Sequence, residues 1–233
     1  MLTKMASAAL VATAMIGAAR AQTLPVNWSG FTVGAGVGSS FGATTGQAVS
    51  NIIFFGLGRP DPIGVLGSLG VGYNYQFSNG LVLGAVGDFG LLNASDTLNN
   101  PVGGWSLRAH NSWLATLRGK FGYATGPMLI YATGGLALAR TEATFTEASP
   151  FFIGPFLPFG PSTTTTKSAI RPGWTLGAGV DYAVTAHVSV EAEYLYAHIN
   201  NLSFAIAQPP FPNGNVNFSE NINVFRLGVN YRF

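Results

Sequence analysis

The sequence predicts an all-β chain: an eight-stranded antiparallel transmembrane β-barrel with short periplasmic turns and long extracellular loops. Three observations predict it. The 233 residues are 48% hydrophobic and only 9% charged, whereas a soluble domain carries charge on about a quarter of its residues. After the N-terminus no run reaches the roughly 18 apolar residues of a spanning helix, and a closed barrel is the other structure that satisfies every backbone hydrogen bond in lipid. Period-two alternation of apolar and polar residues then recurs in eight segments.

Lys4 gives a positive start, Met5 to Ala19 is apolar, and Ala19-Arg20-Ala21 is a small-x-small cleavage site. Residues 1–21 are therefore expected to be a secretory signal peptide, leaving residues 22–233 as the barrel domain. Its loss removes Lys4 and Arg20, so nine of the eleven basic residues remain against nine acidic ones. The net charge of the mature chain is zero, and no nucleic-acid footprint survives. An exported chain without cysteine does not depend on disulfides.

The eight candidate strands run at about 28–38, 64–77, 80–93, 111–124, 127–141, 169–184, 186–200 and 220–233. Ser78-Asn79-Gly80, Thr125-Gly126-Pro127 and Thr185-Ala186 make three tight turns, while 39–63, 94–110, 142–168 and 201–219 are long. Strict alternation of short and long connections is the habit of outer-membrane barrels, and an even strand count puts both termini at the periplasmic end.

Each strand has two faces. The second opposes Leu69, Val71, Tyr73, Tyr75 and Phe77 to Ser68, Gly70, Gly72, Asn74 and Gln76. In the fourth, Trp113, Ala115, Leu117, Phe121 and Tyr123 oppose Thr116, Arg118 and Lys120. The sixth sets Trp174, Leu176, Ala178, Val180 and Tyr182 against Arg171, Gly177, Gly179 and Asp181; the seventh sets Val188, Val190, Ala192, Tyr194 and Tyr196 against Ser189, Glu191 and Glu193. In the last, Phe225, Leu227, Val229, Tyr231 and Phe233 oppose Arg226, Gly228, Asn230 and Arg232. The fifth strand is ambiguous, because Tyr131 falls on its interior face. Aromatics gather near the tight turns (Tyr73, Tyr75, Phe77, Phe121, Tyr123, Tyr182, Tyr231, Phe233) and again near the long connections (Trp113, Trp174, Tyr196, Phe225). Two aromatic girdles around an aliphatic band mark two lipid–water interfaces, which turns the charged face inward.

The segments WSGFTVGAGVG, GYNYQFSNGLVLGAVGDFG, WLATLRGKFGYATGPMLIYATGGLALA, GWTLGAGVDYAVTAHVSVEAEYLYAHI and NVFRLGVNYRF resemble the small porin-like outer-membrane proteins of alphaproteobacteria. That family is described as an opacity-type outer-membrane β-barrel and often as immunogenic. The resemblance spans the strands and leaves the long loops out. It implies residence in the bacterial outer membrane, among lipid and lipopolysaccharide, as a surface antigen. The terminal run Phe225, Leu227, Val229, Tyr231 and Phe233 resembles the signal read by the barrel-assembly machinery. Relatives are variously described as porins, structural proteins, adhesins or haemin binders.

An eight-stranded barrel is only wide enough for side chains to fill it. Strand parity places Asp88, Asp181, Glu191 and Glu193 inside with Arg118, Lys120, Arg171, Arg226 and Arg232. These are expected to pair across the lumen as a structural plug, since an unpaired buried charge costs several kcal/mol. A low-conductance pore lined by the same charges is the alternative. Interior glycines at 34, 36, 70, 72, 84, 177, 179 and 228 leave room for the long side chains.

Catalytic patterns fail. No Gly-Lys-Ser/Thr or His-Glu-x-x-His occurs, and three scattered histidines without cysteine make no zinc site. His187, Ser189 and Glu191 share a strand face, but that face points into the periplasmic end of the lumen, and same-face neighbours on a strand stand too far apart to bond as a triad. His110 and His198 at the outer rim suggest haemin ligation, although their strands are not neighbours. No metal and no cofactor is expected. The loops are apolar at Phe54, Phe55, Phe151, Phe152, Phe156, Phe159 and Phe211, which suits a protein or self-association partner, or a cap of loops on one another. The expected function is a non-enzymatic barrel serving envelope integrity and surface contact; the alternatives are a low-conductance porin for small solutes or a haemin- or ligand-binding surface protein. Neutralising Arg118, Lys120, Glu191 or Glu193 is expected to open a leak in a plugged barrel.

Overall fold

A computed structural model describes residues 26–49, 63–100, 105–147, 163–208 and 211–233. Eight strands follow one another: β1 (Gly30–Val49), β2 (Ile63–Gln76), β3 (Leu81–Asn100), β4 (Trp105–Thr125), β5 (Met128–Glu147), β6 (Thr163–Ala183), β7 (Val188–Gln208) and β8 (Phe211–Arg232). Each pairs antiparallel with the next, and β8 returns to β1 through a register running from Thr32 opposite Arg232 to Val49 opposite Asn215. The barrel is closed, so no ladder edge is left exposed.

The tight turns sit where glycine permits them. Gly80 has φ +86° and Gly126 φ +57°, the left-handed region that other residues avoid. Phe77 N–H donates to the Leu81 carbonyl at 2.8 Å across the first turn. The third turn occupies residues 184–187, where the Thr185 hydroxyl accepts from the His187 and Val188 amides.

The long connections are corrected. Seven strands run to 20 residues or more, about twice the 9–11 needed to cross a bilayer. Most of 94–110 and 201–219 is ladder, leaving 101–104 and 209–210 between strands. Phe211, expected in a loop, opens β8. The reason is physical: beyond the membrane the outward face need not be apolar, so the alternation fades while backbone pairing continues. Thr144 against Thr166 and Thr146 against Thr164, hydroxyls 3.3 Å apart, continue the β5–β6 ribbon in polar residues. Phe54, Phe55, Phe151, Phe152, Phe156 and Phe159 lie outside the described residues.

Through the membrane-spanning part the faces follow parity. Val71, Leu117, Leu136, Leu176 and Leu227 are exposed on the outside. Tyr75 with Phe77 and Tyr231 with Phe233 form edge-to-face pairs at the tight-turn end. Phe89 with Trp113, and Trp174 with Tyr196, pack at a tilt at the other.

Candidate functional site

The lumen is filled in layers. At the tight-turn end Trp28, just ahead of β1, tucks beneath the barrel with 1% of its surface exposed and packs with Val82, Leu129, Tyr131 and Ala183. Its amide donates to the Gln76 side chain at 2.7 Å. The Arg232 guanidinium lies over its ring, 4.7 Å from the centroid.

Above this floor is the charged layer. Arg118 on β4, 2% exposed, donates to Glu193 on β7 at 2.7 Å and to Asp88 on β3. Arg226 on β8 donates to the same two carboxylates, at 2.9 Å to Asp88 and 2.5 Å to Glu193. Asp88, Arg118, Glu193 and Arg226 thus form a closed ring of alternating sign that ties β3 and β4 to β7 and β8 across the barrel. Thr116 and Thr133 take further Arg118 donors at 3.1 and 2.8 Å. Glu191 joins through Arg226 at 3.0 Å and Asn230 at 2.9 Å. Lys120 pairs with Asp181 at 2.8 Å and lies 3.6 Å above the Tyr131 ring. Tyr131, ambiguous in sequence, is therefore an interior residue with an interior partner.

The glycines are where this ring needs space. A Cβ on Gly70 would stand 2.6 Å from Asp88 Oδ1, one on Gly34 2.0 Å from Asn230 Oδ1, and one on Gly179 2.5 Å from the Tyr131 hydroxyl. Two cavities flank Asp88 and Arg226, of about 30 and 20 Å³, room for a water or two each.

A third layer was missed in the sequence. Leu66, Leu92, Leu114, Leu195, Ile199, Ile222 and Val224, with smaller alanines, fill the lumen on the long-connection side of the ring. Above them Arg171 pairs with Glu220 at 2.7 Å, and Asn111 and Thr141 also bond Glu220. Arg171 is thus separated from the ring it was expected to join. Glu220 escaped notice because it shares its face with Ile222 and Val224, which read as an apolar side. Arg232 also departs from expectation: it donates to the Ala186 carbonyl at 2.7 Å and lies over the Trp28 ring, with no ion pair among the described residues.

His187, Ser189 and Glu191 form no triad. His187 Nδ1 meets the Arg232 carbonyl at 2.9 Å, Glu191 is bound to Arg226 and Asn230, and no hydrogen bond joins His187 to Ser189. His110 lies on β4 and His198 on β7, where His198 Nδ1 meets Asn221 at 2.7 Å against Trp174. Among the described residues no cluster offers a metal site.

Known proteins share this architecture. The family model for the outer membrane protein β-barrel domain matches residues 7–233. A 31 kDa outer-membrane immunogenic protein of Brucella melitensis is 29% identical over 89% of this chain and 84% of its own length. A 22 kDa outer membrane protein of Rhizobium leguminosarum is 26% identical over 91% and 83%. Among solved structures, the outer membrane protein OprG from Pseudomonas aeruginosa aligns with a TM-score of 0.50 at 13% identity, covering 90% of this chain and 99% of that one. The outer membrane protease OmpT from Escherichia coli aligns at 0.53 with 9% identity, covering 91% and 99%. At such identities the likeness is one of fold.

Proposed function

The chain belongs to the outer-membrane β-barrel domain family and resides in the outer membrane, and from that premise we propose that it is a closed, non-enzymatic barrel that acts through its outer end. Its aliphatic band faces lipid and its rim faces lipopolysaccharide. The observation that carries the reading is the double seal: an ion-pair ring of Asp88, Arg118, Glu193 and Arg226 with an apolar layer stacked above it. A narrow polar lumen alone is compatible with slow conduction. An apolar constriction above it excludes water and the ions that need water.

On this reading the lumen is a brace, and the contribution to the cell is envelope integrity and surface contact. The apolar segments carrying Phe54, Phe55, Phe151, Phe152, Phe156 and Phe159, together with Phe211, supply the partner-facing or self-associating surface. The signal peptide, residues 1–21, is removed on export. The outward face of Phe225, Leu227, Val229, Tyr231 and Phe233, exposed at the closing strand, is the assembly signal. Geometry speaks against the sharper alternatives: His187 meets the Arg232 carbonyl and Glu191 is bound to Arg226 and Asn230, and His110 and His198 stand on non-adjacent strands.

The test is solute entry. Vesicles carrying refolded residues 22–233 should swell in an isosmotic pentose no faster than protein-free vesicles. Swelling that rises with the amount of protein would replace the brace with a pore.

A further inference from the structure

We propose that the outward face of β4 and β5 at the outer rim binds the phosphates of the outer-leaflet glycolipid, through Arg108 and Arg140. The two arginines differ from the lumen cations in what surrounds them. Lys120, Arg118, Arg171 and Arg226 each meet a carboxylate inside the barrel. Arg108 and Arg140 are exposed, and neither is among the ion pairs of the described residues.

Their height is fixed by register. Arg140 stands directly opposite Trp113, whose ring packs on Phe89 in the outer aromatic girdle. Leu138, one outward position toward the membrane, is an exposed apolar residue of the lipid band. Arg140 therefore emerges at the headgroup level, where a long cationic side chain rests its stem on apolar surface and its charge in the polar zone. Arg108 opposes Thr144, four residues along β5 from Arg140, a separation of roughly 13 Å at the usual strand rise. His110 and Glu142, paired with each other in the register, lie between them. Glu142 reduces the fixed charge of the patch to one net positive and leaves an arginine at either end. Two separated guanidiniums suit separated phosphates better than one compact anion, because each fork binds phosphate oxygens bidentately.

The inference rests on the orientation of the barrel and not on whether its lumen is closed. The probe is diphosphoryl lipid A, titrated into the refolded mature protein in detergent and read by native mass spectrometry. Its dephosphorylated form and phosphatidylglycerol are run beside it. The wild type should retain diphosphoryl lipid A over both others, and Arg108→Ser/Arg140→Ser should lose about tenfold in retention. Lys167→Ser, an exposed charge facing the lumen side of β6, should leave it unchanged. Equal retention of the dephosphorylated lipid, or an unaffected double variant, overturns the site. Phosphatidylglycerol bound as well and lost with the same arginines also overturns it, in favour of any anionic lipid. Labelling of Lys167 on intact cells by an impermeant amine reagent tests the orientation separately.

Discussion

The barrel is built twice over, with its faces exchanged. In the membrane-spanning half, Leu117, Leu176 and Leu227 face out while Arg118, Glu193 and Arg226 are buried within and Asp88 is nearly so. Beyond the outer girdle, on β3, β5, β7 and β8, the arrangement reverses. Asn93, Arg140, His198, Asn221 and Asn223 face out, while Leu92, Ala139, Ile199, Ile222 and Val224 face in. Tyr194 and Tyr196 mark the change, their hydroxyls reaching Asn223 at 2.6 Å and Asn221 at 3.0 Å. The backbone is the same ladder throughout, so the surrounding solvent decides which face is apolar. Lipid requires apolar residues outside and lets charges pair within; water requires the opposite, as in any soluble barrel. On β1, β2 and β6 the exchange is incomplete, since Phe41, Ile63, Val65 and Ile170 stay exposed near the rim.

The two halves should respond differently to the same kind of damage. The largest effect belongs to the ring. Arg118→Met leaves Asp88 and Glu193 buried with half their cations and should cost about 3–5 kcal/mol in urea unfolding. Removing three of the four ring charges together, as Arg118→Met with Asp88→Leu and Glu193→Met, should cost less than the single change, because Arg226 keeps Glu191 and no buried charge is left without a partner. Next comes the apolar layer: Leu195→Ala should cost about 2–4 kcal/mol through the cavity it leaves, with no rescue from any second deletion. Gly70→Ala should follow at about 1–3 kcal/mol, because its methyl would push Asp88 away from both arginines. Thr144→Ala on the outer ribbon should fall within about 0.5 kcal/mol, having an exposed hydroxyl pair to lose. An unfolding series in which Leu195→Ala exceeded Arg118→Met would mean that packing, and not the ring, dominates the lumen.

The same comparison explains what the sequence disclosed. Strand number, tight turns and the inward charges were legible because, within lipid, one face must be apolar and parity then places everything else. Asp88, Arg118, Lys120, Asp181, Glu191, Glu193 and Arg226 all came from that rule. It misleads where lipid ends. The Leu195–Ile222–Val224 layer carries the inverted pattern and hid Glu220, a buried carboxylate on the same face, and the outer parts of β1 and β3–β8 looked like loops because neither face is uniformly apolar there. Tyr131 was ambiguous because an aromatic inside a membrane barrel breaks the pattern unless a cation such as Lys120 covers its ring. Trp28 was expected to open the first strand, at 28–38, but stands just ahead of β1 and folds beneath the barrel, a placement that period-two alternation does not signal.

Two seals in series also alter what a leak requires. Neutralising Glu193 alone disturbs the ring but leaves the apolar layer shut, so a substitution in each layer should be needed before solute passes. The most direct test of the closed lumen is single-channel recording of refolded residues 22–233 in a planar bilayer, beside Glu193→Gln and Glu193→Gln/Leu195→Ser. The wild type and the single variant should be silent, and the double variant should show resolved openings. Steady, charge-selective steps in the wild type that shift with Glu193→Gln would contradict it.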